Sequence, residues 1–278
     1  MIEYARFGAA MGRADTQMVG GEFINASVRT TPYLSIVIPA YNEGTRLPGT
    51  LDTVLRYLDT QPFQAEVIVV DDGSNDDTAD VAEKLIPEDH GYVLRAQHKG
   101  KASAVLAGML VAKGDYVIFM DADLAVPMGD IHLLLPYLKG EYSVAIGSRE
   151  GSGSSREGEP LLRHIMGRVY NKIVQLLVVP GIKDTQCGFK MFRADAAREI
   201  FPRLQLYSLE SPVIAGARVT GFDVEVLFLA RRRGCKIREV PVHWSYGEQS
   251  KVSPVTDSVF LFLDVLKVRF NDLRGLYK

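Results

Sequence analysis

The 278-residue chain is 47% hydrophobic and 24% charged with a formal net charge of −2, the profile of a folded protein with one large α/β domain or two small ones. Near-neutral charge argues against general nucleic-acid binding, which needs a basic face. Two cysteines, Cys187 and Cys235, make neither a disulfide framework nor a metal cluster and point to a reducing cytoplasm.

Residues 1–31 show no clear periodicity and read as a flexible N-terminal extension. The fold is expected to begin at Tyr33, with a strand over Leu34–Ile38 stopped by Pro39. Between Thr45 and Asp59 the apolar positions Leu47, Leu51, Val54, Leu55 and Leu58 have helical spacing. A buried strand follows at Glu66–Val70, then a helix over Asp77–Leu85, a strand at Tyr92–Arg95 and a helix over Ala102–Val111. The next apolar run, Tyr116–Met120, ends in Asp121-Ala122-Asp123. Strands and helices alternating in this way imply a parallel sheet with crossover helices.

The second half is less regular. The pattern predicts a helix over Ile131–Leu138, a strand over Tyr142–Ile146 and a mobile loop at Gly151–Gly158, the stretch GSGSSREG. A long helix is expected over Leu161–Val179, another over Phe222–Arg233, and a strand over Lys236–Val240. No internal repeat is visible.

The acid pair Asp121 and Asp123 falls where a buried strand leaves the sheet, the edge at which open α/β sheets bind ligands. Two carboxylates so close repel unless a cation joins them. Hard oxygen ligands suit Mg²⁺ or Mn²⁺, which bind one or two carboxylates together with substrate phosphates. An isolated D-x-D would be an acidic turn, but this one has company. Pro39-Ala40-Tyr41-Asn42-Glu43 follows the first strand, where Tyr41 could lie on a flat base and Glu43 could bond to base or ribose. Asp71-Asp72-Gly73-Ser74 ends the second strand, and His98-Lys99-Gly100-Lys101 opens a helix whose N-terminus suits a diphosphate.

Together these segments resemble, in order and spacing, the inverting family 2 glycosyltransferases. Asp184-Thr185-Gln186-Cys187-Gly188-Phe189-Lys190, Phe222-Asp223-Val224-Glu225 and Val240-Pro241-Val242-x-Trp244 extend the resemblance to the polyprenyl-phosphate (dolichyl-phosphate) sugar synthase branch, nearest to its glucose synthases. The resemblance covers roughly residues 33–278. It implies an α/β chain of GT-A fold: a nucleotide-binding half on a mixed, mainly parallel sheet flanked by helices, plus an acceptor-binding half. The implied boundaries are a GT-A domain over 32–250 and an amphipathic helical segment over 251–278, packed on the domain or on a membrane surface.

The resemblance also assigns roles. Pro39, Tyr41, Glu43, Asp71 or Asp72 and Lys101 would hold the nucleotide of a nucleoside-diphosphate sugar, UDP-glucose first among the donors. Asp121, Ala122 and Asp123 would hold the diphosphate, with Asp121 and Asp123 binding Mg²⁺ or Mn²⁺. Ser148, Arg149 and, fourteen residues later, Arg163 would hold the phosphate of a polyprenyl-phosphate acceptor. Gly167 and Ala125 replace side chains that mannose-synthase relatives use, which points away from mannose. Asp223 takes the place of a general base. A phosphate monoester has a second pKa near ~6 and needs little proton removal, so Asp223 and Asp184 could position sugar hydroxyls instead.

The N-terminus lacks a basic region followed by an apolar one, so no signal peptide is expected. No apolar stretch approaches the ~18 residues of a bilayer span. Phe260, Leu263, Leu266 and Phe270 recur at helical spacing beside Lys267, Arg269 and Arg274, a pattern fit either for a membrane surface or for the domain's own core. The expectation is therefore a cytoplasmic enzyme, peripheral at most on the inner face of the membrane, with a homodimer left open. The rival readings are transfer to a hydroxyl acceptor, a catalytically silent sugar-nucleotide-binding subunit, and a nucleotidyltransferase.

Overall fold

A computed structural model describes residues 31–216, 220–246 and 254–278, the side chains of 162–163 and 254–257 excepted. The expected N-terminal extension lies outside them, apart from residue 31. Seven strands form the main sheet: β1 (Leu34–Ala40), β2 (Ala65–Asp71), β3 (Gly91–Arg95), β4 (Tyr116–Met120), β5 (Val144–Ser148), β7 (Phe189–Arg193) and β8 (Ile237–Pro241). Their order is β3-β2-β1-β4-β7-β5-β8, parallel except for β7, which runs against both neighbours.

Period-2 alternation divides each central strand between two cores. Val37, Ile68, Val70, Val117 and Phe119 face one side of the sheet, and Ile36, Ile38, Val67, Val69, Ile118 and Met120 face the other. The second side is covered by α1 (Leu47–Asp59), α2 (Thr78–Leu85) and α4 (Ile131–Lys139). The first is covered by α3 (Lys101–Val111), α5 (Leu161–Leu177), α6 (Ala194–Ile200), α7 (Phe222–Arg232) and α8 (Pro254–Leu273).

The β1–β4 half agrees with the sequence pattern to within a residue or two. Two features differ. Strand β7 and helix α6 carry no regular apolar signature; β7 reads Phe-Lys-Met-Phe-Arg, and only pairing with β4 and β5 makes it a strand. The glycine- and serine-rich stretch 151–158, expected to be a mobile loop, contains β6 (Ser155–Glu157), paired in parallel with β9 (His243–Ser245). Arg156 pins it by donating to Glu159 at 2.6 Å, to Glu150 at 2.5 Å and to the Arg149 carbonyl at 2.9 Å.

Candidate active site

Strands β2 and β3 lie on one side of β1, whereas β4 lies on the other, so the gap between the carboxyl ends of β1 and β4 is the switch point of the sheet. Tyr41 leaves β1 there and Asp121 leaves β4. The loops after β1 and β2 are laced together. The Asn42 N–H donates to Ser74 Oγ at 2.9 Å, the Asn75 N–H donates to Asn42 Oδ1 at 2.8 Å, and the Glu43 N–H donates to Thr78 Oγ1 at 2.8 Å. Asn42 takes φ +53°, the left-handed region that Asn tolerates best among non-glycines. Glu43 is ion-paired with Arg46 at 2.7 Å. Pro39 lies within β1, in register with Val70 of β2, two residues before Tyr41.

The two candidate nucleotide acids do different things. Asp71 accepts the Ser74 N–H at 3.2 Å and holds its own turn, in which Gly73 at φ +68° sits so close to His98 that a Cβ would meet its backbone nitrogen at 2.7 Å. Asp72 is 2% exposed and accepts the Lys99 and Gly100 N–H groups, each at 2.8 Å, with His98 Nδ1 also 2.8 Å away. It therefore shapes the turn that starts α3. The His98 ring lies flat on Tyr41, with centroids 3.8 Å apart and planes 5° apart. His98 Nε2 is 3.0 Å from the Gly216 carbonyl, and the Ile214 N–H donates to the His98 carbonyl at 2.9 Å, so segment 209–216 covers this turn. The motif His98-Lys99-Gly100-Lys101 pointed to this place, but not to His98 as a stacking partner.

Lys101, the first residue of α3, is ion-paired with Asp121. Burial works against its charge, but Asp121 and Asp223 more than offset this and raise its pKa, which brings Asp223 into the same electrostatic cluster. The backbone of Ala122 is fixed by the Thr50 hydroxyl, which donates to its carbonyl at 2.6 Å. Asp123 accepts the Ala125 N–H at 3.1 Å; its pKa is raised by burial and then by the neighbouring charge of Asp121. Two acids that resist sharing negative charge are a donor set suited to a hard divalent cation, with diphosphate oxygens filling the remaining positions. No cluster of three or more His, Cys, Asp or Glu side chains stands ready for a metal among the described residues.

Because β7 runs backwards, its start lies beside the ends of β4 and β5. Gly188 presses on Asp121 so closely that a Cβ would come within 2.1 Å of Asp121 Oδ2. Lys190, fully buried on β7, donates to Asp223 and to the Cys187 carbonyl. Asp223 lies in the first turn of α7 and is itself buried.

On the other side of β7, Arg149 follows β5. Its Nε and Nη2 form a two-pronged pair with Asp184 at 2.7 and 2.8 Å, its N–H donates to the same carboxylate at 2.9 Å, and its guanidinium lies 5.2 Å from the Trp244 ring centre. Burial opposes charge on Asp184, yet the Arg149 guanidinium holds this carboxyl well below the usual range. Asp184 is thus the buried anchor of Arg149, a pairing that the sequence did not suggest. Ser148 is also fully buried, its hydroxyl donating to Glu239 at 2.8 Å. Arg163 falls on α5, but its side chain lies outside those described. A small cavity is lined by Asp121, Ala125, Gly188, Phe189 and Trp244, the last of which also lies beside the Arg149 guanidinium.

The chain is similar to several known proteins. The model of Glycosyl transferase family 2 matches residues 35–201. The chain belongs to that family. The dolichyl-phosphate β-glucosyltransferase of Dictyostelium discoideum is 35% identical over 88% of this chain and 76% of its own length. The human enzyme of that name is 32% identical over 89% and 78%. Among solved structures, glucosyl-3-phosphoglycerate synthase from Mycobacterium tuberculosis, in complex with Mn²⁺, UDP-glucose and phosphoglyceric acid, matches 86% of this chain and 80% of its own with a TM-score of 0.61 at 16% identity. Mannosyl-3-phosphoglycerate synthase from Rubrobacter xylanophilus gives 0.61 at 18% identity, over 88% of this chain and 74% of its own. The main sheet and its helices are those of a GT-A fold, and the family 2 member resembles the dolichyl-phosphate glucose synthase branch, as its motifs implied.

Proposed function

We propose that the protein transfers glucose from UDP-glucose to a polyprenyl phosphate with inversion at the anomeric carbon. An acceptor phosphate oxygen attacks that carbon from the face opposite the leaving group. The bond from the anomeric carbon to the β-phosphate oxygen breaks, and UDP departs with the electron pair. Tyr41, backed by His98, receives the base, while Asp71, Asp72 and Glu43 shape its surroundings. Asp121 and Asp123 would hold a divalent cation, Mg²⁺ or Mn²⁺, which neutralises charge on the leaving diphosphate. Lys101 adds a cation on the same side.

The observation that carries the choice of acceptor is the commitment of Asp223. One of its oxygens already accepts from buried Lys190. A carboxylate already bound to a buried ammonium is suited to orienting a sugar hydroxyl rather than to taking a proton from an acceptor alcohol. An acceptor that arrives ionised needs no such base. Arg149, with two of its donors on Asp184, presents the rest of its guanidinium beside Trp244 to the incoming phosphate, while the Arg163 contribution stays a sequence-based assignment.

The test is an assay of the purified protein with UDP-glucose or GDP-mannose, with and without a short polyprenyl phosphate in detergent. Glucosyl lipid phosphate and UDP should form in equal amounts, stop on chelation, and resume with Mn²⁺ or Mg²⁺. Acceptor-independent turnover, mannosyl transfer or full activity under chelation would each overturn part of the proposal.

A further inference from the structure

Tyr170 stands apart from the other buried side chains of α5. It lies midway along the helix, is 9% exposed, and shares the core on that side of the sheet with Val174 of its own helix, Phe222 of α7 and Val265 of α8. Its hydroxyl has no hydrogen-bond partner among the described residues. A hydroxyl taken out of water and left unpaired is costly, so an orphan of this kind points to a group that completes it. The neighbouring residue fixes the helix here. Asn171 Oδ1 accepts the Thr185 N–H at 3.1 Å and the Thr185 hydroxyl at 2.9 Å, which ties α5 to the residue after Asp184.

The groups around the orphan narrow down what completes it. Burial, then the charge of Asp223, then Asp264 and Tyr207 raise its pKa, so the hydroxyl keeps its proton and is a donor. Asp264 and Tyr207 are already spent. Asp264 Oδ2 accepts from the Tyr207 hydroxyl and the Gly221 N–H, and its Oδ1 accepts from Lys267. Asp223 differs: it gives Oδ1 to Lys190, which leaves Oδ2 to take a further donor. A hydroxyl that donates and a carboxylate oxygen that accepts, not bonded to each other, suit a guest that can do both. A sugar hydroxyl is such a guest. The charge of Asp223 also acts on Lys101, the ion-pair partner of Asp121, so this pair of groups belongs to the donor side of the site.

We propose that Tyr170 reads one hydroxyl of the transferred hexose, donating to its oxygen while Asp223 Oδ2 accepts from its O–H. The inference rests on the sugar-nucleotide reading of the acid pair and deepens it by naming a residue of α5 that sets sugar selectivity. No covalent bond is made or broken at Tyr170. A sugar lacking that hydroxyl would leave two buried polar groups unpaired, which is the kind of penalty that lets a site reject an analogue.

The test is calorimetric titration of the full chain and of Tyr170→Phe with UDP and with UDP-glucose, each in the presence of Mn²⁺. Tyr170→Phe should bind UDP as the parent does and UDP-glucose about tenfold more weakly. It should keep or raise the parental melting temperature, because no protein partner is lost. Among singly deoxygenated UDP-glucose analogues, one should bind parent and variant equally well: the one that lacks the hydroxyl read by Tyr170. Equal UDP-glucose affinity in the two proteins would overturn the proposal, and a lowered melting temperature beside it would assign the orphan to a buried water. A loss shared equally by UDP and UDP-glucose, or kept across every deoxygenated analogue, would also overturn it. A parent with no affinity for UDP-glucose would count against the donor reading instead. The comparison then passes to GDP and GDP-mannose, with the same selective loss expected in Tyr170→Phe, and a parent that binds neither nucleotide sugar would overturn both.

Discussion

Asp123 and Gly188 lie on either side of Asp121, one in sequence and one in space, and their substitution separates chemistry from folding. Asp123→Asn removes one of two repelling charges, so the fold should be retained. The rise in melting temperature on adding Mn²⁺ with UDP should vanish, and turnover should fall by about a hundredfold or more. A normal metal-induced rise would remove Asp123 from the cation site. Gly188→Ala forces a methyl against the Asp121 carboxylate, within 2.1 Å of its Oδ2. It should raise the donor KM and depress kcat well before it lowers the melting temperature. Arg149→Ala is of another kind: it strands Asp184, fully buried, without its partner, and breaking such a pair costs about 3–5 kcal/mol. Its acceptor kinetics should therefore be read beside a denaturation curve, and an unchanged melting temperature would refute the anchoring role of Asp184. The acids and Arg149 were visible in the sequence because strand ends announce themselves. Their pairings were not, since Arg149 and Asp184 are 35 residues apart and Lys190 and Asp223 are 33.

Helix α7 is tied to the 205–206 segment and the C-terminal Tyr277 through Glu225, whose buried carboxylate accepts the Gln205 N–H at 2.7 Å, the Leu206 N–H at 3.1 Å and the Tyr277 hydroxyl at 2.6 Å. Burial nevertheless dominates and pushes its pKa up to about 7 from 4.5. The folded state thus favours the protonated acid. The stabilisation is complete below about pH 4.5 and is lost as pH rises through about 7, a change of ~3 kcal/mol. Asp184 has the opposite sign: its depressed pKa stabilises the fold above the ordinary Asp value and fails only in acid. Melting temperature should therefore decline between pH 5 and pH 8 in the parent more than in Glu225→Gln, pH values chosen to bracket the Glu225 transition. Parallel curves would show that Glu225 is ionised in the folded protein. Such a tie was invisible in the helix's own pattern, because Glu225 sits in a first turn where an acid is normally welcome at the surface.

The whole chain was legible where local pattern and final surroundings agree. From β1 to β4 each apolar run is bounded by turn residues and each helix has one apolar face, so the nucleotide half could be drawn in order. The acceptor half depends on a strand inserted between two distant ones. Lys190 and Arg193 make β7 look half-exposed, although Lys190 is fully buried against Asp223. The glycine-rich stretch after β5 looked mobile because the arginine–glutamate contacts that hold it come from fixed positions that only the fold supplies. Asp223→Asn also belongs here, since it tests how the two halves share labour. With a lipid phosphate as acceptor, it should retain kcat within about tenfold once the stability lost at Lys190 is restored by Lys190→Met. A loss of several orders of magnitude in the stable double variant would reinstate a general base.

The reversed strand has one more consequence. Gly188 touches Asp121, which we propose to hold the cation, and Asp184, four residues earlier, grips Arg149, which we propose to meet the acceptor. The backbone from 184 to 188 is thus a ruler that sets how far apart Asp121 and Arg149, and with them the proposed donor and acceptor, stand. Lengthening it by one residue would move one end by about 3.3 Å, roughly the whole approach distance of two reacting atoms. A one-residue insertion between 184 and 188 should therefore cost turnover while leaving the donor-induced rise in melting temperature in place.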